Sequence, residues 1–147
     1  MAYLLDTNIF LRLARRNDPQ RQVVFEAVQK LRSRNEILCF TPQVLSEFWN
    51  VCTRPASARD GLGLSTTQTD RKARLIERYF RLLPDSLVTF QQWRRIVVAH
   101  SVMGVEVHDA KLVASMNVYL ITHLITFNVA DFKRYPGITA VSPSDVK

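Results

Sequence analysis

Apolar residues along the chain fall into two alternating patterns, short unbroken runs and stripes at helical spacing. Ala2 to Leu5 is such a run, followed by Asp6-Thr7-Asn8 and then by Ile9, Phe10 and Leu13, which predicts a strand feeding a helix. Asp18-Pro19 reads as an N-cap with proline at the first helical position, ahead of the stripe Val24, Ala27, Val28 and Leu31. Ile37 to Phe40 predicts a second strand, and Thr41-Pro42 the start of a helix carrying Val44, Leu45, Phe48 and Trp49. Residues 56–65 contain two glycines and little periodicity, the mark of a surface loop. A helix from about Thr67 to Arg81 is expected to bury Leu75, Ile76, Tyr79 and Phe80 and to expose Arg71, Lys72, Arg74, Arg78 and Arg81. Leu82-Leu83 reads as a short strand, and Ser86 as the cap of a helix whose apolar members include Phe90, Trp93, Ile96 and Val97. Val107 to Val118 is again helical, with Leu112, Val113 and Met116 on one side. The run His123 to Phe127 predicts a buried strand, Asn128 to Tyr135 a short helical segment, Pro136-Gly137 a turn, and Ile138 to Val141 a last strand.

Short, continuously apolar strands alternating with helices imply an α/β fold: a mainly parallel central sheet with helices on both faces. In such sheets functional sites form at the carboxyl ends of the strands, so polar residues at those positions carry the most information. The 147 residues suit one domain, and 47% hydrophobic with 22% charged residues excludes a disordered chain. The start MAYLLDTN has no basic segment ahead of an apolar one, and no run is long and apolar enough to read as a membrane span, so a cytoplasmic protein is expected.

The cysteines, Cys39 and Cys52, lie in apolar stretches and are too few for a disulfide framework. His100, His108 and His123 have no partner cysteine at zinc-binding spacing. Charge changes the picture more: the net charge is +7, and the 20 basic residues are 15 Arg and 5 Lys. The planar guanidinium matches phosphate geometry, so the bias favours a polyanionic partner, although Arg-rich exposed helix faces are an equal alternative on composition alone.

Four acids stand at strand ends or helix starts. Asp6 follows the first strand, Glu47 falls on the apolar stripe of the helix after the second, Asp109 opens the helix of Leu112 and Val113, and Asp131 lies just past the strand ending at Phe127. Each has an ordinary alternative: Asp6 and Asp131 as helix caps, Asp109 as a cap or an acid favoured by the helix dipole, Glu47 as half of a buried ion pair with an arginine. With 41, 62 and 22 positions between successive members, only folding can bring them together. Converging carboxylates repel unless a divalent cation neutralises them, and hard oxygen donors select Mg2+ or Mn2+. Such an ion activates water and stabilises charge on a phosphoryl group, which is phosphodiester-cleaving chemistry.

In four blocks the sequence resembles a PIN domain, specifically the VapC-type toxin ribonucleases: LLDTNIFLRL (Leu4 to Leu13), TPQVLSEFWNV (Thr41 to Val51), HDAKLVASM (His108 to Met116) and ITFNVADFKRYPGI (Ile125 to Ile138). The resemblance implies one PIN-like nuclease domain over residues 1–147 and a metal site of Asp6, Glu47 and Asp109. Many relatives carry an acid where this chain has Asn128; here the nearest carboxylate is Asp131, the expected fourth acid, with Asn128 as a possible ligand through its carbonyl oxygen. Asn8 and Thr126 are expected to orient those carboxylates. The resemblance further implies RNA as substrate, a homodimer and a small cognate antitoxin.

A catalytically silent PIN-fold module binding RNA or protein is the alternative, because of Asn128; an aspartate-nucleophile phosphatase is disfavoured because position 8 is Asn. Trp49, Trp93, Tyr79 and Phe80 read as core or subunit contacts, His108 as a helix-start residue, and Arg54 and Arg59, flanking the glycine-containing loop, as possible RNA contacts. If four of the 13 acids share one cleft, the remainder carries 20 basic against 9 acidic residues, a positive surround of +11.

Overall fold

The computed structural model describes residues 1–147. Five strands, β1 (Ala2–Leu5), β2 (Ile37–Phe40), β3 (Arg81–Leu82), β4 (His123–Ile125) and β5 (Thr139–Val141), form one sheet in the order β3-β2-β1-β4-β5. Every neighbouring pair is parallel. The expectation of a mainly parallel sheet therefore holds in its strictest form. Leu4 and Leu5 point to opposite faces and are both fully buried, which requires helices on both sides.

Six α-helices supply that cover: α1 (Thr7–Ala14), α2 (Arg21–Ser33), α3 (Pro42–Thr53), α4 (Thr66–Tyr79), α5 (Leu87–Ala99) and α6 (Val107–Val118). One group links α1 to α2 and α3, and α3 to α4; α5 and α6 pack against each other. Thr41 and Ser86 cap α3 and α5 as their sequence positions suggest, each hydroxyl accepting from the backbone N–H three residues on. Ser65 does the same for α4 within a reciprocal capping box with Gln68.

Several local expectations are corrected. Asp18-Pro19 does not open α2, which starts at Arg21 behind an uncapped Gln20. Asp18 instead accepts from the Gln20 N–H and pairs with Arg12 at 2.9 Å, a tertiary contact that outcompetes the capping role. On α4 the buried stripe is Thr69, Ala73 and Ile76, while Leu75 and Tyr79 are exposed. Small side chains at 69 and 73 let α4 approach closely, and that rotates the larger ones outward. Arg81 belongs to β3 rather than to the helix, and Phe90 of α5 is exposed. The segment after Asn128 is a short 3-10 turn, Val129–Phe132.

The loop between α3 and α4 is braced rather than loose. Leu62, Gly63 and Leu64 donate to the carbonyls of Val51, Arg54 and Cys52. Gly61 sits so close to the Pro55 carbonyl that a Cβ there would collide with it.

Candidate active site

The parallel register determines the floor of the site. Leu5 pairs with Ile125, so the residues that leave the two central strands side by side are Asp6 and Thr126. The Asp6 N–H extends the ladder to the Ile125 carbonyl, and the Thr126 N–H extends it to Val141. Asp6 is in extended backbone at the N-cap of α1, and one carboxylate oxygen accepts from the Thr7 N–H at 2.7 Å. The other accepts from Thr126 Oγ1 at 2.7 Å and from Asn8 Nδ2 at 3.1 Å. A carboxylate offers roughly four lone-pair positions, so three bonds fix Asp6 and leave one acceptor position open. Asp6 is both the cap and the acid at the strand end; the two readings do not compete.

The network continues into α3. Thr7 Oγ1 donates to Glu47 at 2.7 Å, and Gln43 Nε2 donates to the other Glu47 oxygen at 2.8 Å. Gln43 also donates to the His108 carbonyl, which ties α3 to the start of α6. Glu47 therefore has neutral partners and no arginine, which removes the ion-pair alternative. Thr126 Oγ1 accepts from the Asn128 N–H at 3.0 Å, so one hydroxyl positions both Asp6 and the backbone of the next segment. Asn8 and Thr126 thus stand where orienting groups would stand.

Glu47, Asp109, Asn128 and Asp131 line one open cavity of about 770 Å³, together with Ser46, Asn50, Val105, Glu106 and His108. Asp6 lies below it, near enough for its charge and that of Asp109 to act on one another. Burial is the main force raising the Asp109 carboxyl, up to about 6, with repulsion from Asp6, Asp131, Glu47 and Glu106 added. Burial likewise raises Asp6, and Glu47 adds to the rise, against the hydrogen bonds from Thr126, Thr7 and Asn8 that favour its charged form. Asp131 and Asn128 are exposed at the mouth, on the 3-10 turn.

Three segments thus bring Glu47, Asp109, Asn128 and Asp131 to one cleft, and a fourth sets Asp6 beneath it, next to the Thr7 that donates to Glu47. Arg54 lies one turn beyond Asn50 at the end of α3, and its guanidinium holds the Arg59 carbonyl at 2.9 Å. The Arg59 side chain is almost wholly solvent-facing. Sequence reasoning missed Thr7, Gln43, Asn50 and Glu106. Glu106 and Asn50 each lie three positions from a predicted acid, a helical spacing that signals them. Thr7 and Gln43 act through contacts to other side chains and leave no such mark.

The ion pairs of the molecule leave Asp6, Glu47, Asp109 and Asp131 without any cationic partner. No three of the acids close into a tight ligand cluster. Even so, the donor set suits a hydrated hard cation: carboxylates held apart around a wet cleft, a free acceptor position on Asp6, and the buried Gln43 Oε1 with no hydrogen-bond partner. Mg2+ and Mn2+ keep several waters when bound to proteins, so few direct contacts are needed.

The family model described as PIN domain matches residues 3–138. No curated protein matches the chain by sequence. The chain is similar in structure to VapBC2 from Rickettsia felis bound to a DNA fragment from their promoter, at TM-score 0.73 and 16% identity over 97% of this chain and 98% of that one. It is similar also to VapBC-1 from nontypeable Haemophilus influenzae, at TM-score 0.72 and 20% identity over 98% and 99%. A third likeness is to Mycobacterium tuberculosis VapC20, described as a sarcin-ricin loop cleaving toxin, at TM-score 0.60 and 17% identity over 83% and 86%.

Proposed function

The chain belongs to the PIN domain family and has its fold, and from that premise we propose that it is a divalent-metal-dependent endoribonuclease, the toxin of a toxin-antitoxin pair. The observation that carries the reading is the cleft: four carboxylates from four separate segments, none paired with a cation, in a chain whose net charge is +7. Such an arrangement is costly as a structural feature and sensible as a site for Mg2+ or Mn2+. Asp6, Glu47, Asp109 and Asp131 hold the ion, with the Asn128 amide oxygen as a further ligand. When bound, the ion neutralises the cleft toward phosphate and activates water for attack on phosphorus.

The residues of the chain divide the remaining work. Thr126, Asn8 and Thr7 hold the Asp6 and Glu47 carboxylates in fixed orientations, so little reorganisation accompanies reaction. The basic surround draws the RNA backbone in, and Arg54 and Arg59, on the braced loop beyond Asn50, contact its phosphates. Asn128 and Asp131, on the exposed turn, adjust to substrate.

RNA is the substrate, a small cognate antitoxin the inhibitor and a second copy the partner in a homodimer. The solved VapBC neighbours support an antitoxin; no helix is long and apolar enough to cross a membrane, in keeping with action on RNA in the cytoplasm. A specific observation favours a second reading: Asn128 replaces an acid at the mouth, and the carboxylates do not close into a cluster, as a silent RNA-binding module would also show.

One assay separates the two. Purified protein is incubated with single-stranded RNA in Mg2+, Mn2+ or EDTA, beside Asp6→Asn. The nuclease reading expects cleavage with metal only, lost in the variant; metal-independent cleavage that survives Asp6→Asn contradicts it. Salt-sensitive RNA binding with no product in any metal establishes the silent module instead. Co-purification with the product of the adjacent reading frame tests the antitoxin, and a toxin that captures nothing counts against it.

A further inference from the structure

Beside the acidic cleft, and sharing the His108 wall with it, lies a second cavity of about 360 Å³ between the start of α5 and the first turns of α6. Its chemistry differs from that of the cleft. Its walls include two aromatic rings, Phe90 and Trp93, one carboxylate, Asp85, and one ammonium, Lys111. Phe90 is 52% exposed beside Trp93, so its ring is open to a ligand in the cavity. Trp93 is a fixed platform, because its Nε1 donates to the Val107 carbonyl at 2.9 Å. The rings lean on each other, centroids 6.1 Å apart and planes inclined by 36°, so a flat ligand lies over them rather than between them. Lys111 Nζ stands 3.3 Å from the Asp85 carboxylate with both side chains well hydrated, a weak pair that a ligand can enter.

A volume of this order, aromatic walls and a few convergent polar groups describe a small-molecule pocket. Its position next to Asp109 makes it reachable by the base of a nucleotide whose phosphate lies in the cleft. We propose that this cavity is a nucleobase subsite for the RNA substrate, and that Asp85 and Lys111 select guanine. The inference rests on the nuclease reading above. Guanine presents two adjacent N–H donors, N1 and N2, beside one acceptor, O6, on its pairing edge. The Asp85 carboxylate takes the donors, Lys111 donates to O6, and the ring system stacks on Phe90 and Trp93. Adenine offers the carboxylate one donor on that edge, and uracil turns two carbonyl oxygens toward it.

The test reads binding without requiring cleavage. The chain has two tryptophans, so ¹⁵N-labelled protein shows two indole resonances. Titration with GMP is expected to shift that of Trp93 and leave that of Trp49 in place, with AMP, CMP and UMP at least about fivefold weaker. Asp85→Asn lowers GMP affinity about tenfold, and Phe90→Ala, at an exposed position that does not hold the core, lowers affinity for all four nucleotides about fivefold or more. Equal response to the four nucleotides, no response, or a Trp93 resonance that follows protein concentration instead of GMP overturns the proposal; the last outcome assigns the face to a second copy of the chain. Cleavage mapping then links subsite to reaction: cuts beside guanine that lose this preference in Asp85→Asn support it, and cuts indifferent to base overturn it. If GMP binds as described and no RNA is cut in any metal, the subsite stands and the nuclease reading fails.

Discussion

The floor and the rim of the acidic cleft are built on opposite terms. On the floor, Asp6 has three hydrogen bonds and Glu47 two, all from neutral groups on three segments of chain. At the rim, Asp109 is partly buried among other acids with no hydrogen bond to its carboxylate, and Asp131 is exposed on a short turn. The floor is pre-organised because two neighbouring parallel strands end in register at Asp6 and Thr126. The rim carboxylates have no such bracing. The proposed function gives this division a use: hydrogen-bonded carboxylates would place an ion, and exposed ones would admit the substrate.

The largest effect expected from the contrast is at the floor. Asp6→Asn should reduce RNA cleavage by at least about 100-fold and remove the rise in melting temperature that Mn2+ gives the native protein; retention of both would place the ion elsewhere. Next comes Asp109→Asn at the rim, which should also lose about 100-fold in activity yet raise the melting temperature of the metal-free protein by about 2–4 °C, because it removes one of several repelling charges. A loss of stability instead would mean that the rim is organised without metal. Thr126→Val is smaller in activity, about 10- to 100-fold, but should destabilise by about 1–3 kcal/mol, because Asp6 loses a donor while remaining buried. Opposite signs of stability change at Thr126 and Asp109 are the signature of a floor and a rim.

A pH scan sharpens the same contrast. The Asp109 carboxyl, ordinarily near 3.8, is raised to about 6 in the folded state, so the folded form binds its proton more tightly than the unfolded form. Stability from this group is complete below its unfolded pKa and is lost as pH rises through 6. The melting temperature in EDTA should therefore fall between pH 4 and 6, and Asp109→Asn should flatten that fall; an unchanged slope would locate the titration elsewhere. The smallest effect expected is at the basic surround: Arg54→Ala with Arg59→Ala should reduce RNA affinity a few-fold and lower the slope of log affinity against log salt by about 1–2, measured by fluorescence anisotropy.

How much of this was legible in the sequence follows from the range of the interactions. Strands β1 and β2 and the caps Thr41 and Ser86 are local features and appear as read. Asp18-Pro19 carried an equally good local signal and failed, because Arg12 captures Asp18. The exposed Leu75, Tyr79 and Phe90 show the same limit: periodicity identifies an apolar stripe, but small residues at 69 and 73 decide which side of α4 packs. For the site, an acid on an apolar stripe marked Glu47 and a strand-end acid marked Asp6. Thr7, 40 positions from its partner Glu47, carried no mark, since only the fold makes it the link between them. On α5 the same spacing gives one residue of each kind: Trp93 packs against the core as read, while Phe90, three positions earlier, is exposed, and nothing local distinguishes the two.

The central claim is that the hydrogen-bonded floor and the exposed rim share one divalent cation. Anomalous diffraction from a crystal soaked in Mn2+ tests it most directly. The account predicts a peak in the cleft in contact with Asp6 and Asp109, with Asp131 or Asn128 drawn toward it and the Thr126 hydrogen bond to Asp6 intact. A cleft that stays free of manganese at concentrations that support cleavage, or a peak bound away from Asp6, would contradict it.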